Sequence, residues 1–335
     1  MKYIRLGYSG LEVSRLCLGT MGFGIEQPGF HQWVINEEES RVIIKRALEL
    51  GINFFDTANI YSNGTSEEFL GRALKDFAKR EEVVIATKVF FNAPFNSEHA
   101  PNVNGLSRKA IFQEVEKSLQ RLQTDYIDLY IIHRWDYNTP IEETMEALHD
   151  LIKLGKIRYI GASAMYAWQF QKAQYVAEKH GWTKFISMQN HYNMIYREDE
   201  RELIPFCYET NVGLTPYSPL ASGRLAKAPE ETSKRLETDK TAVSKYGASI
   251  EVDQPIIERV GVLAEKYNVP RVHISLAWLL QRYAVASPII GATKLKHIED
   301  AVDALSVTLT QEDMAYLEEL YTPHQLVGLI PYSFV

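Results

Sequence analysis

Short apolar runs alternate with longer stretches of helical period along almost the whole chain. The runs are Leu16–Thr20, Ile52–Ala58, Val83–Val89, Ile127–His133, Ile157–Ser163, Phe185–Asn190, Val212–Ser218 and Pro288–Thr293. Each is rich in β-branched residues and nearly continuously apolar, the pattern of a strand buried on both faces of a parallel sheet. Between them, Glu39–Leu50 reads as a helix closed by Gly51. Ser107–Leu122 carries Ile111, Val115, Leu119 and Leu122 on one helical face, and Ile141–Leu154 repeats the device with Met145, Leu148 and Ile152. Ser107 and Asn138-Thr139-Pro140 read as helix starts, and Gly155 and Gly181 as helix ends. Parallel strands joined by helical crossovers build either an open doubly wound sheet or a closed barrel, and eight such units favour the barrel. The predicted fold is α/β, a single (β/α)8 TIM barrel over residues 1–335, with no internal repeat and no linker.

Three segments depart from the alternation. Tyr3–Ser14 reads as an N-terminal hairpin around Tyr8-Ser9-Gly10. Phe90–Gly105 is a Pro/Asn-rich loop, and Ala226–Gly247 is highly charged, too polar for core and expected to be a lid or a disordered segment. Composition then narrows the class. The chain has 335 residues, 46% hydrophobic and 24% charged, enough for a large core. A net charge of −7 gives no basic field for nucleic acid, and no apolar run is long enough for a membrane helix. Without an apolar stretch at the N-terminus and with only Cys17 and Cys207, a cytoplasmic protein is expected.

In a barrel of this type the chemistry sits at the C-terminal strand ends. Seven of the eight runs end on polar groups: Asp56 with Tyr61 beyond it, Lys88, His133, Ser163, Gln189, Tyr217 with Ser218, and Thr293 with Lys294. A lone Asp there is commonly a helix cap and a lone Lys commonly solvated, but an Asp, a Tyr, a Lys and a His on one rim form a chemical set. A phenol with an ordinary pKa near 10 donates a proton reluctantly, and a neighbouring ammonium makes it a better acid. A carboxylate holds that ammonium's charge, and a neutral His orients a carbonyl oxygen. No nucleophile is implied, so hydride from a nicotinamide is the natural electron source.

At these residues the chain resembles the aldo-keto reductase superfamily. Asp56-Thr57-Ala58-Asn59-Ile60-Tyr61 is similar to its D-T-A-x-x-Y, Ala86-Thr87-Lys88 to its T-K, and His133-Arg134-Trp135-Asp136 to its H-x-x-D. The likeness runs from the hairpin to about residue 320, and its flanking features resemble the branch of aryl-alcohol dehydrogenase-like enzymes and potassium-channel β-subunits. It implies a catalytic set of Asp56, Tyr61, Lys88 and His133 with Tyr61 as general acid. It also implies cofactor contacts from Gly19, Thr20, Met21, Asp56, Ser163, Gln189 and the loop Tyr217, Ser218, Pro219, Leu220, Ser222, Gly223 and Arg224. A second cofactor segment is Ile290, Gly291, Thr293, Lys294, His297 and Asp300. Ala164 and Ala301 stand where relatives carry Asn, and His297 where they carry Arg. Lys294 and Arg224 remain as cations for a 2′-phosphate, so NADPH is expected ahead of NADH.

Phe23, Trp33, Phe90, Trp135 and Tyr192 are the candidate substrate pocket. The loops 94–105, 192–197 and 320–335 are expected to set the substrate. Gly19–Gly24 lacks the register of a dinucleotide-binding turn, and Gly24–Gly29 lacks the Lys-Ser of a phosphate loop. Gly161–Met165 lacks the last Gly of a nucleophile elbow, and the nine histidines show no metal-ligand spacing, so no metal site is expected. The expected function is NADPH-dependent reduction of a small-molecule aldehyde or ketone. Two alternatives stay open: a cofactor-bound redox-sensing or regulatory subunit of slow turnover, and an aldolase using Lys88 as a Schiff base.

Overall fold

The structure is a computed structural model that describes residues 1–27, 31–92, 101–232 and 234–331. The middle of the loop after Phe90 and the end of the C-terminal tail therefore lie outside the described residues. Strands β1 (Tyr3–Arg5) and β2 (Glu12–Ser14) pair antiparallel as the expected hairpin. Then follow β3 (Cys17–Gly19), helix α1 (Glu37–Glu49), β4 (Phe54–Asp56), α2 (Thr65–Phe77), β5 (Val84–Val89), α3 (Arg108–Leu122), β6 (Ile127–Ile132) and α4 (Ile141–Lys153). The chain continues through β7 (Ile157–Ser163), α5 (Ala167–His180), β8 (Ser187–Gln189), α6 (Leu203–Glu209) and β9 (Gly213–Leu214). Helices α7 (Lys234–Thr238), α8 (Lys240–Tyr246), α9 (Ile250–Tyr267) and α10 (Arg271–Leu280) precede β10 (Ile289–Gly291), and α11 (Leu295–Asp303) and α12 (Gln311–Glu318) follow it.

The eight strands β3–β10 run parallel in the order β10-β3-β4-β5-β6-β7-β8-β9. The ring closes between β9 and the approach to β10, where Leu214 N–H donates to Ala284 at 2.8 Å, Ala286 N–H to Leu214 at 2.8 Å and Ile289 N–H to Pro216 at 2.9 Å. The fold is thus the expected (β/α)8 barrel. Every apolar run contains a strand, of the same bounds at Ile157–Ser163 and shorter than the run at the other seven. Backbone bonds continue a residue further, as from Thr57 N–H to Ala86.

Local signals explain the helices. Asn36 caps α1 with a reciprocal bond to Glu39, and Glu37, Glu38 and Glu39 place negative charge at its positive end. Ser107 caps α3 through Ala110 N–H, and α5 ends at Gly181 in the left-handed region. The segment expected as a polar lid or disordered loop is instead helical over α7 and α8. Asp239 accepts from Thr241 and Ala242 to start α8, and Ala242 and Tyr246, four residues apart, are buried. Charge dominated that segment's composition, but one apolar stripe was enough to dock it.

Two apolar layers result. Between strands and helices lies the larger core, including Leu18, Phe55, Ile85, Val115, Tyr130, Leu148, Ile160 and Trp278. Inside the barrel Cys17, Phe54, Val84, Ala86, Leu129, Ile131, Ile186 and Ile289 fill the lumen, and Leu6 and Val13 of the hairpin stopper its lower end. Gly7 makes that stopper possible: at φ +60 a Cβ there would lie 2.4 Å from the Ile186 carbonyl oxygen. With the bottom closed, the upper end is the open one.

Candidate active site

Alternate residues of a strand point the same way, so each lumen-facing series can be followed upward. Phe54 leads to Asp56, Val84 and Ala86 to Lys88, and Leu129 and Ile131 to His133. Apolar layers fill the lower barrel, and the next step on three adjacent strands brings a carboxylate, an ammonium and an imidazole to one level. Tyr61 reaches the same point from the turn after β4, where Ser62 and Asn63 adopt positive φ of 45° and 54°. That left-handed kink folds the phenol back over the barrel mouth.

Lys88 is fully buried and all three of its ammonium protons have acceptors. It donates to Asp56 Oδ1 at 2.6 Å, to the Thr57 carbonyl at 2.8 Å and to the Tyr61 hydroxyl at 3.1 Å. Asp56 Oδ2 accepts from Gln189 Nε2 at 2.8 Å, so both carboxylate oxygens are engaged. Burial pulls the Lys88 ammonium's pKa down, but Asp56 and Tyr61 together outweigh it and hold the ammonium charged. For Tyr61, burial raises the pKa more than Lys88 lowers it, and the net shift is upward. The Lys88 contribution has the expected sign, and desolvation of the phenolate exceeds it. Because Lys88 donates to the hydroxyl oxygen, the Tyr61 proton stays available to a third partner.

His133 stands edge-on to Tyr61, with ring centres 6.1 Å apart at 82°. Burial, assisted by the positive charges of Arg134, Lys88 and Lys245, holds its pKa well below the ordinary value. The ring is therefore neutral at physiological pH, and its Nδ1 is buried without a partner. Phe91 packs edge-on against it at 5.3 Å. The Phe91 carbonyl accepts from Asn59 Nδ2 at 2.6 Å, and the same amide donates to Glu114 Oε2 of α3 at 2.8 Å. Sequence reasoning missed Asn59, Phe91 and Glu114. The available signal was Glu114 itself, which lies between Ile111 and Ser118 on the buried face of α3.

The residues expected at the nicotinamide line the other side of the mouth. Ser163 Oγ donates to the Gln189 carbonyl at 2.9 Å. Tyr217 is stacked on His191 with ring centres 5.2 Å apart at 7°, and its hydroxyl is buried without a partner. Lys245 Nζ lies 4.6 Å from the Tyr217 ring centre. Along the following loop Ser218, Ala221, Ser222 and Gly223 all have positive φ, of 54°, 48°, 59° and 106°. Pro219 and Leu220 lie within it. Met21 is half-buried just after β3, where Thr20 is enclosed by Ser66 at 2.8 Å, and Gly19 ends that strand.

Ile290 and Gly291 end the last strand. Thr293 N–H meets His297 Nδ1 at 3.3 Å, Lys294 stands at the start of α11, and Asp300 lies within that helix. Arg224 is placed differently from expectation. It pairs with the buried carboxylate of Asp253 at 3.2 Å, which also accepts from Ser249 and meets His324 Nε2 at 2.8 Å. Its charge is already spent on a junction joining this loop, α9 and the C-terminal tail.

Of the expected pocket aromatics, Phe90 stands against Phe91 at 4.9 Å, and Trp135 against Trp168 at 5.9 Å. Trp33 packs on His31 at 4.8 Å, and Phe23 is fully buried. Tyr192 is a correction. It is buried beside Trp278, donates to Glu200 at 2.5 Å and accepts from Arg282 at 3.0 Å, so it faces the outer helices and not the barrel mouth.

A buried ammonium clamped between a carboxylate and a phenol, beside a neutral imidazole, thus sits at the mouth of a (β/α)8 barrel. The sequence profile of the Aldo/keto reductase family matches residues 15–322. The chain is 45% identical to an aldo-keto reductase, dtxS3, of Metarhizium robertsii, over 97% of this chain and 92% of that one. It is 44% identical to the versiconal hemiacetal acetate reductase of Aspergillus parasiticus, over 96% of this chain and 98% of that one. A Schizosaccharomyces pombe protein provisionally named an aryl-alcohol dehydrogenase is 44% identical, over 97% of each. This chain belongs to the aldo/keto reductase family, and it is an oxidoreductase of the carbonyl-reducing kind. No helix among the described residues is long and apolar enough to cross a membrane.

Proposed function

We propose that the protein reduces aldehydes or ketones to alcohols with NADPH, and that Tyr61 is the general acid. The observation that carries this is the threefold engagement of Lys88, which leaves the Tyr61 proton free while fixing its oxygen. Tyr217, Ser163 and Gln189 on one wall, and the loop with positive φ at Ser218, Ala221, Ser222 and Gly223, fit a nicotinamide nucleotide with its diphosphate on that loop. Lys294, at the start of α11, is the cation suited to a 2′-phosphate; Arg224, held by Asp253, is not. The bound cofactor supplies the hydride.

The chain's own residues do the rest. The neutral His133 ring orients the carbonyl oxygen toward Tyr61. As charge develops on that oxygen, the Tyr61 hydroxyl gives up its proton, and the resulting phenolate is stabilised by the Lys88 ammonium 3.1 Å away. Asp56 keeps Lys88 charged throughout, and Gln189 keeps Asp56 in place.

Tyr61→Phe removes only the proton donor. Turnover of an aromatic aldehyde, followed by loss of reduced cofactor, is expected to fall about 100-fold or more, while NADPH affinity changes less than about threefold. A Tyr61→Phe enzyme with normal turnover would refute the assignment. Comparing NADPH with NADH in the same assay, with Lys294→Ala alongside, tests the cofactor: the variant is expected to lose most of the preference for NADPH.

A further inference from the structure

The cleft contains a cation that the reduction chemistry leaves unused. Arg134 follows His133 and is half-buried. Its Nη1 donates to the His133 carbonyl at 2.6 Å, and the guanidinium lies 6.0 Å from the centre of the Phe91 ring. Several other partly buried arginines meet carboxylates, Arg121 with Glu67 at 2.6 Å, Arg80 with Asp128 at 2.6 Å and Arg197 with Glu200 at 2.7 Å, while Arg15 and Arg271 donate to backbone carbonyls away from the barrel mouth. Arg134 has no carboxylate within ion-pair distance among the described residues. Four of its five N–H donors are uncommitted to protein.

Ring contacts place that charge at the mouth: the guanidinium stands by Phe91, Phe91 is edge-on to His133 at 5.3 Å, and His133 is edge-on to Tyr61 at 6.1 Å. Consistent with that position, its charge pulls down the pKa of Tyr61, His133 and Tyr217. Lys245 of α8 adds positive potential from the Tyr217 side and also acts on His133. The nearby acids are occupied. Asp56 is bound by Lys88 and Gln189, and Asp136 accepts from Leu106, Asn138 and Thr139. Asp199 accepts from Asn190, and burial pushes its pKa up to about 7.

We propose that Arg134 recognises a carboxylate on the substrate, so that the preferred substrates are carbonyl compounds that also carry an acid group. This rests on the reading that the cleft reduces carbonyls. The planar guanidinium fork matches a carboxylate in two-point contact, and the apolar Phe91 beside it reduces competition from water.

The test uses 3- and 4-formylbenzoate against their methyl esters, which keep the aldehyde and remove the charge. In the wild type, kcat/KM is expected to favour an acid over its ester. Arg134→Gln is expected to lower that ratio tenfold or more, mainly through KM, and Arg134→Lys to recover part of it. Added salt is expected to compress it. A ratio unchanged in Arg134→Gln, or an equal loss on acid and ester, overturns the proposal. If the wild type reduces none of these aldehydes, the carbonyl-reductase reading fails, and benzoate binding by calorimetry decides Arg134 separately. A tenfold weaker Kd in Arg134→Gln then supports the anion site, and unchanged or undetectable binding in the wild type overturns it.

Discussion

Replacing Lys88 by Met separates what this ammonium does for stability from what it does for chemistry. Met fills the space of the lysine stem, so the change creates little cavity. It deletes three hydrogen bonds, at 2.6, 2.8 and 3.1 Å, and leaves Asp56, 2% exposed, with only the Gln189 amide. Removing one partner of a buried ion pair costs about 3–5 kcal/mol, because the remaining charge is desolvated without compensation. The pair itself contributes much less, since desolvation offsets most of its attraction. Changing Asp56 to Asn as well should therefore return at least ~2 kcal/mol: the Asn carbonyl still accepts from Gln189, and no charge remains buried. Activity should behave oppositely. Lys88→Met is expected to lower kcat by about 100-fold or more because the Tyr61 phenolate loses its counter-charge, and the double variant should stay inactive. Urea unfolding at constant m-value gives the stability, and loss of reduced cofactor gives the rate. A double variant no more stable than Lys88→Met would refute the buried-charge argument. Wild-type turnover in Lys88→Met would refute the role assigned to the ammonium.

Asn59→Ala removes the 2.6 Å bond to Phe91 and the 2.8 Å bond to Glu114; a loss of about 2–3 kcal/mol is expected by urea unfolding, with kcat falling more than cofactor affinity because Phe91 no longer braces His133. The pH profile of aldehyde reduction should be flat through neutrality: the His133 pKa is held well below its ordinary value and that of Tyr61 is raised, so the acid limb lies below the usual histidine range and the alkaline limb above the usual tyrosine range. A kcat/KM inflection near pH 6.5 would contradict this assignment. Asp199, with a folded pKa of about 7 against 3.8 for the free group, holds a proton in the fold that the unfolded chain releases, so stability is lost as pH rises between those values. Asp199→Asn removes that loss; after discounting for its partial exposure it should add about 1–2 kcal/mol at pH 8 and nothing at pH 4, read by urea unfolding at both.

How legible each part was follows from how local its determinants are. The strands and the meeting of Asp56, Lys88 and His133 at one rim could be read because period-two geometry is a property of consecutive residues. Once Val84 and Ala86 face the lumen, Lys88 must follow them, and the same logic brings Asp56 and His133 to the rim. Tyr61 came from the pattern of the turn after β4, and its kink at Ser62 and Asn63 explains how a residue beyond the strand regains the axis. Alternation stops where a strand ends, so it could not decide between Phe90 and Phe91, and it is Phe91 that meets His133. Tyr192 failed for a related reason: its partners Glu200, Trp278 and Arg282 become neighbours only through the fold of the outer layer.

The same distinction governs the charges. Arg224 reads in sequence as a cation for a 2′-phosphate, and only the docking of the β9 loop on α9 turns it to the carboxylate of Asp253 instead. Arg134 reads in sequence only as part of the His133-Arg134-Trp135-Asp136 motif, and among the described residues the fold brings it no acid. Composition cannot tell a cation that folding neutralises from one that it leaves for a ligand. The difference is made by long-range contacts, and here it separates a structural junction at Arg224 from the group we propose for recognition at Arg134.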